Sequence, residues 1–159
     1  MNIFILDYNF KKNATYHVNA HVSKLVLETA QLLCTVAKLK GFDAPYKPTH
    51  VKHPAVLWLN QSSANWNWLC LHGLALAQEY TFRYGKIHKC EAVIKGLQNR
   101  TLEIWKDNKP YFEHTPFVKC MPDHYKVDDP VQSYRNYYKG DKAYIAQWTK
   151  RPIPDWWLL

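Results

Sequence analysis

The chain has 159 residues, 47% of them apolar, with 21 Lys and Arg against 13 Asp and Glu for a formal charge of +8. That composition excludes a disordered chain, and no apolar run approaches the roughly 20 residues of a membrane-spanning helix. The positive excess concentrates anions, nucleic acid above all, because neutralising phosphates releases counterions; the plainer alternative is a solvated basic surface with no specific partner.

In chain order, Asn2 to Leu6 reads as a short buried strand or extended segment that ends in a polar turn at Asp7. It is too short for a secretory leader. From Ala14 to about Leu39, apolar residues at Val18, Val22, Leu25, Val26, Leu32, Leu33 and Val36 recur as on one face of a long helix. Gly41 and Pro45, Pro48 and Pro54 interrupt the pattern, and a short helix is expected over Ala55 to Asn60. Ser62 or Ser63 caps a third helix running to about Tyr84, with Gly85 as its C-terminal stop. A shorter helix covers Ile87 to Leu97. Gln98 to Pro130 reads mostly as loop, a length that is often functional. Asp129-Pro130 is a good helix start, and the last helix runs from Val131 to Trp148 with a break near Gly140. Pro152 and Pro154 make the remainder an extended tail. Residues 1–159 thus read as a single compact domain, mostly α, with a strand-like N-terminal segment and a long loop before the last helix.

Cys34, Cys70, Cys90 and Cys120 are scattered and form no CxxC, so four reduced thiols and a cytoplasmic location are expected. No P-loop, GxGxxG or GxSxG is present, so neither a nucleotide cofactor nor a serine hydrolase is indicated, and no cofactor is expected.

Titratable residues gather on two helix faces. His17, His21, Lys24, Glu28 and Gln31 lie at steps of four and three, within roughly an 80° arc that borders the apolar face. His21 can exchange a proton near neutral pH, Glu28 can orient it, and Lys24 can hold a phosphate. The competing reading is an ordinary surface pair of Lys24 and Glu28 beside incidental histidines. On the third helix Glu79 can fix Arg83, and Lys86 and His88 follow around Gly85, a set that suits phosphate contact. Cations at a helix C-terminus are also favoured by the macrodipole alone. His50 and His53 sit in a basic, proline-stiffened loop that can lie along a ligand backbone. Tyr134 and Arg135, among further Tyr and Lys residues, have the composition of a nucleic-acid surface, or of a core tyrosine stripe beside a solvated basic face. His17 and His21 share a metal-gripping HxxxH spacing that His50 and His53 could complete, but no thiolate or carboxylate pattern supports a metal, and none is assigned.

Met1 to Asp7, His21-Val22-Ser23-Lys24 with Glu28-Thr29-Ala30-Gln31, Lys47-Pro48-Thr49-His50 with His53-Pro54, Glu79-Tyr80 with Arg83-Tyr84-Gly85-Lys86 and His88, Met121-Pro122-Asp123, and Tyr134-Arg135 with Tyr137-Tyr138 follow one another in a specific order. Over nearly the whole chain this pattern resembles a small bacteriophage-encoded family associated with DNA-base modification, with amino acid:DNA transferases acting on modified thymine. The resemblance implies a helical architecture, a DNA substrate and action in the cytoplasm of an infected bacterium. It carries no catalytic assignment. The chain departs from the pattern around Val18 to Ala20, where relatives carry Cys and Asp, which leaves His21, Lys24 and Glu28 as the stronger positions.

The resulting expectation is an enzyme acting on nucleic acid by group transfer to a modified pyrimidine. His21 is its acid/base, oriented by Glu28, while Lys24 and the Glu79-fixed Arg83 hold phosphate or developing charge. His50, His53, Lys86, His88, Tyr134 and Arg135 contact the substrate. The alternatives are a basic DNA-binding or host-protein-binding protein without catalysis, and a DNA glycosylase or metal-dependent hydrolase.

Overall fold

The structure, a computed structural model, describes residues 1–107 and 113–159. Among these there are eight α-helices, two 3-10 turns and no strand. The buried segment Ile3 to Leu6 is neither helical nor paired as a strand. Asn13, from the first helix, takes the place of a strand partner: its Nδ2 donates to the Phe4 carbonyl (3.1 Å) and its Oδ1 accepts from Leu6 N–H (2.7 Å). A side chain thus satisfies backbone groups that a strand would have paired.

The helix expected from Ala14 is split. α1 (Phe10–Tyr16) is capped by Asn9, whose side chain accepts from the N–H groups of Lys11 and Lys12. His17 and Val18 are extended, and α2 (Asn19–Leu39) follows. The break has a physical cause in Arg83. Its guanidinium donates to the carbonyls of Thr15 and His17, which an unbroken helix would have used internally. α2 ends before Gly41, whose φ of 89° is one a side chain resists.

α3 (Pro54–Leu59) has proline in its first turn and His53 as N-cap, with the ring Nδ1 accepting from Ala55 N–H. α4 (Ser63–Tyr84) is capped by Ser62 and stopped by Gly85 in the left-handed region at φ 69°. α5 (Glu91–Asn99) starts later than the apolar pattern suggests. α2 and α4 are the centre of the fold, with α1, α3 and α5 packed around them. They pack tightly at Gly73, where a Cβ would lie 2.6 Å from Thr29 Cγ2.

Within the expected loop, α6 (Thr101–Ile104) and a 3-10 turn at Asp123–Tyr125 are formed, and its residues 108–112 lie outside the described residues. α7 (Pro130–Asp141) starts at the Asp129-Pro130 signal, with Asp129 accepting from Val131 and Gln132 N–H. It ends at Asp141, and a second 3-10 turn covers Ala143–Ile145. The tail is not wholly extended: α8 (Asp155–Leu158) turns Trp156 into the core against Tyr16 and Tyr138. All four cysteines are free, and three are buried. No helix among the described residues is long and apolar enough to cross a membrane.

Candidate functional site

The N-terminal segment crosses the face of α2 that bears His21, and α7 closes the other side. Between them lies a cleft of about 350 Å³, lined by Asn2, Phe4, His21, Lys24, Leu25, Glu28, His53, Cys120, Tyr137 and Lys142, with Met1 at its edge. Four residues singled out in the sequence, His21, Lys24, Glu28 and His53, therefore meet in one place. The spacing on α2 brings three of them together; His53 arrives because the loop before α3 returns to α2.

His21 is buried, and its Nδ1 lies 2.6 Å from the hydroxyl of Tyr138, itself fully buried. Phe4 packs on the imidazole at 4.6 Å between ring centres. Burial pushes the His21 pKa down to about 4, helped by the charges of Lys142 and Lys24. The ring is therefore held neutral at physiological pH, with Nδ1 bonded to Tyr138. This corrects the expected role of Glu28, which does not orient His21. Its carboxylate accepts from Asn2 N–H (3.2 Å) and lies 3.8 Å from both the Lys24 ammonium and the amino group of Met1. Glu28 is thus a carboxylate of the cleft wall held by the N-terminal segment. Lys24 is two-thirds exposed in its side chain, which suits a solvated charge at the rim better than a desolvated nucleophile.

On the α7 side, Lys142 places its ammonium 5.2 Å from the centre of the Tyr137 ring, and Tyr137 stacks near-parallel to Phe4 (17°, 5.9 Å). Cys120 completes the wall, and burial pushes its thiol up, away from thiolate reactivity. Asn2, Phe4 and Cys120 were not assigned to a site from sequence, whereas Tyr137, Tyr138 and Lys142 belong to the Tyr and Lys/Arg run that reads as either a nucleic-acid surface or a core tyrosine stripe beside a solvated basic face. They come from two chain ends that only the tertiary fold joins.

The second cationic set is placed elsewhere. Arg83 is buried and makes four hydrogen bonds, to Glu79 (2.8 Å), the carbonyls of His17 (2.8 Å) and Thr15 (3.0 Å), and Asn19 Oδ1 (3.0 Å). Glu79 also takes two bonds from Arg151 (2.9 Å each). Burial pushes the Glu79 carboxyl up, and the Arg151 and Arg83 hydrogen bonds outweigh it, so its pKa falls. Neither residue lines the cleft. Their expected catalytic role is corrected to a clamp that ties α4 to the α1–α2 junction and the C-terminal tail.

Tyr134 is likewise corrected: it is fully buried, donates to the Val118 carbonyl (2.7 Å) and accepts from Cys120 N–H (3.1 Å). Arg135 donates to the Leu6 carbonyl (2.9 Å) and lies over Trp156 (5.2 Å), so it holds the N-terminal segment to α7 rather than a ligand. His88 is buried; its Nδ1 accepts from Cys90 N–H (3.1 Å) and its Nε2 donates to the Ser23 carbonyl (3.1 Å), which occupies both nitrogens. His50 is exposed, with φ 49°, and does not line the cleft. Lys86 is exposed on a separate groove of α2 and α4. The four histidines His17, His21, His50 and His53 do not converge. Among the described residues no three His, Cys, Asp or Glu side chains are arranged to hold a metal ion.

Comparison with protein-family models, with curated proteins and with solved structures finds no match to this chain.

Proposed function

We propose that the protein is an enzyme acting on nucleic acid, DNA in the first place, and that it modifies a base inserted into the cleft between α2, α7 and the N-terminal segment. The observation that carries this reading is the neutral, Tyr138-anchored imidazole of His21 in a cleft bearing two lysines and a carboxylate. The cavity is within the range of small-ligand sites and holds about one nucleotide. A base stacked in a duplex cannot enter a cleft between two helices, so the reacting nucleotide is unpaired or turned out of the helix. Lys24 and Lys142 face its phosphate or a departing anion, and Tyr137 offers a ring to a base.

Glu28 gives the cleft a negative charge as well, which suits an amine donor. That mixed character agrees with the transferase chemistry implied by the phage-family resemblance. In such a transfer the amine attacks the carbon of a pyrimidine substituent, its proton passes to Nε2 of His21, and the displaced group leaves as an anion beside the lysines.

Thymine-modified phage DNA incubated with the protein and an amino-acid mixture, then digested to nucleosides for mass spectrometry, tests this. The expected result is a new nucleoside with the wild type that is lost with His21→Ala and reduced with Glu28→Ala. A product formed equally by wild type and both variants overturns these roles. Absence of DNA binding at low salt overturns the nucleic-acid reading altogether.

A further inference from the structure

α2 separates the cleft from a second groove of about 290 Å³, lined by Asn19, Ala20, Ser23, Tyr80, Tyr84 and Lys86. The tyrosine rings lie 5.1 Å apart on successive turns of α4. Tyr84 is 37% exposed, and Tyr80 is half-buried. Tyr80 is held from behind: His88 meets it edge-on at 4.9 Å. His88 is in turn locked by its bonds to the Ser23 carbonyl and Cys90 N–H. The floor is small, Ala20 and Ser23, which leaves room for a flat group against the rings. Gly85, in the left-handed region, turns the chain so that Lys86 stands at the edge of the groove.

Ala20 and Lys24 are one helical turn apart on the same edge of α2. One lines the groove and the other lines the cleft, so the two sites flank a single, largely exposed lysine. A rigid aromatic pair, a cation at its edge and a second cation on the ridge towards the cleft match a base, its phosphate and the phosphate of the next nucleotide.

We propose that this groove is a second nucleotide subsite: the Tyr80–Tyr84 pair stacks an unpaired base adjacent to the one in the cleft, and Lys24 holds the phosphate between them. The inference rests on the nucleic-acid reading of the cleft and adds to it a path for the strand. It requires a single-stranded or locally opened substrate, because a paired base cannot stack on both sides of the α2 ridge.

Binding of a fluorescent dT octamer at low salt, compared with binding of the mononucleotide dTMP, tests it. Stacking on one aromatic ring corresponds to a loss of roughly fivefold to 150-fold on removal of the ring. Tyr84→Ala is expected to weaken the octamer by that factor and leave dTMP unchanged, while Tyr84→Phe, which keeps the ring, binds like the wild type. Tyr84 is exposed enough for these variants to fold, and far-UV circular dichroism checks it. Lys142→Ala, in the cleft, is expected to weaken both ligands. If Tyr84→Ala binds the octamer as the wild type does while Lys142→Ala weakens it, the subsite is overturned and the cleft reading stands. If the wild type binds neither ligand, both fall. If Tyr84→Ala and Tyr84→Phe weaken the octamer equally, the ring is not the contact and the subsite is overturned.

Discussion

Acid should destabilise this protein well above the pH at which carboxylates titrate, because its core holds imidazoles that must stay neutral. Burial pushes His21 and His72 down to about 4 each, from an ordinary 6.5. His17, fully buried between His72 and Tyr138, is lowered in the same direction, first by burial and then by His72. In each case the folded pKa lies below the unfolded one, so the unfolded chain binds more protons and stability falls as pH falls. The loss begins near pH 6.5 and levels off below about 4. From the linkage relation, each of His21 and His72 accounts for about 2 kcal/mol by pH 5 and about 3 kcal/mol by pH 4. Together they remove about 6 kcal/mol by pH 4, comparable to the whole stability of many domains. Urea unfolding followed by circular dichroism between pH 7.5 and 4.5 measures this directly. The expected slope between pH 6 and 4.5 exceeds about 2 kcal/mol per pH unit, and His72→Gln is expected to reduce it by about 1 kcal/mol per pH unit. A flat stability from pH 7 to 5, or an unchanged slope in His72→Gln, refutes the reasoning.

Three further outcomes follow from particular contacts. Gly73→Ala places a methyl 2.6 Å from Thr29 Cγ2 and 3.1 Å from Ile94 Cδ1. Overpacking outweighs the better helix propensity, for a net loss of about 1 to 2 kcal/mol; a thermal melt checks it, and a raised Tm contradicts the tight α2–α4 approach. Arg83→Lys keeps the charge but cannot reach Glu79, Thr15 and His17 together. A loss of about 3 kcal/mol or more is expected in urea unfolding, with the octamer affinity of the folded protein unchanged; stable protein with weakened DNA binding would restore Arg83 to the ligand. Inorganic phosphate in the cleft opposes the charges of Lys142 and Lys24, which lower the His21 pKa. Its NMR titration midpoint is expected to rise with phosphate and to stay put in Lys142→Ala; a midpoint that is unmoved or lower in the wild type counts against an anion at this site.

Much of the fold was legible because its signals are local. Ser62, Gly85 and Asp129-Pro130 mark helix ends through hydrogen bonds and backbone angles that involve only their neighbours. The break at His17-Val18 was not legible, because its cause is Arg83, 66 residues away from His17. The same reason explains the N-terminal segment. Its apolar run is genuine, but the partner that satisfies its backbone is one asparagine side chain, and no periodicity announces that. For the site, the helical spacing of His21, Lys24 and Glu28 needed only one element to be true. The pairing of Glu79 with Arg83 was equally correct as geometry and misleading as function. An i,i+4 ion pair looks the same in sequence whether solvent or two helix ends receive its remaining donors.

That ambiguity bears on how the cleft is built. The Glu79–Arg83 clamp fixes the junction from which α2 departs, one turn before His21. Arg135 fixes the N-terminal segment, through Leu6, to the helix that carries Tyr137 and Tyr138. Tyr138 then joins the two halves at His21 Nδ1. The basic residues that first suggested ligand contact thus divide by what their donors already bond. Those whose guanidinium groups bond within the fold, Arg83, Arg135 and Arg151, hold the frame, whereas the half-buried or exposed lysines, Lys24, Lys86 and Lys142, keep ammonium groups at the openings of the two grooves. Net charge alone did not separate these classes, and the number of donors already spent inside the fold does.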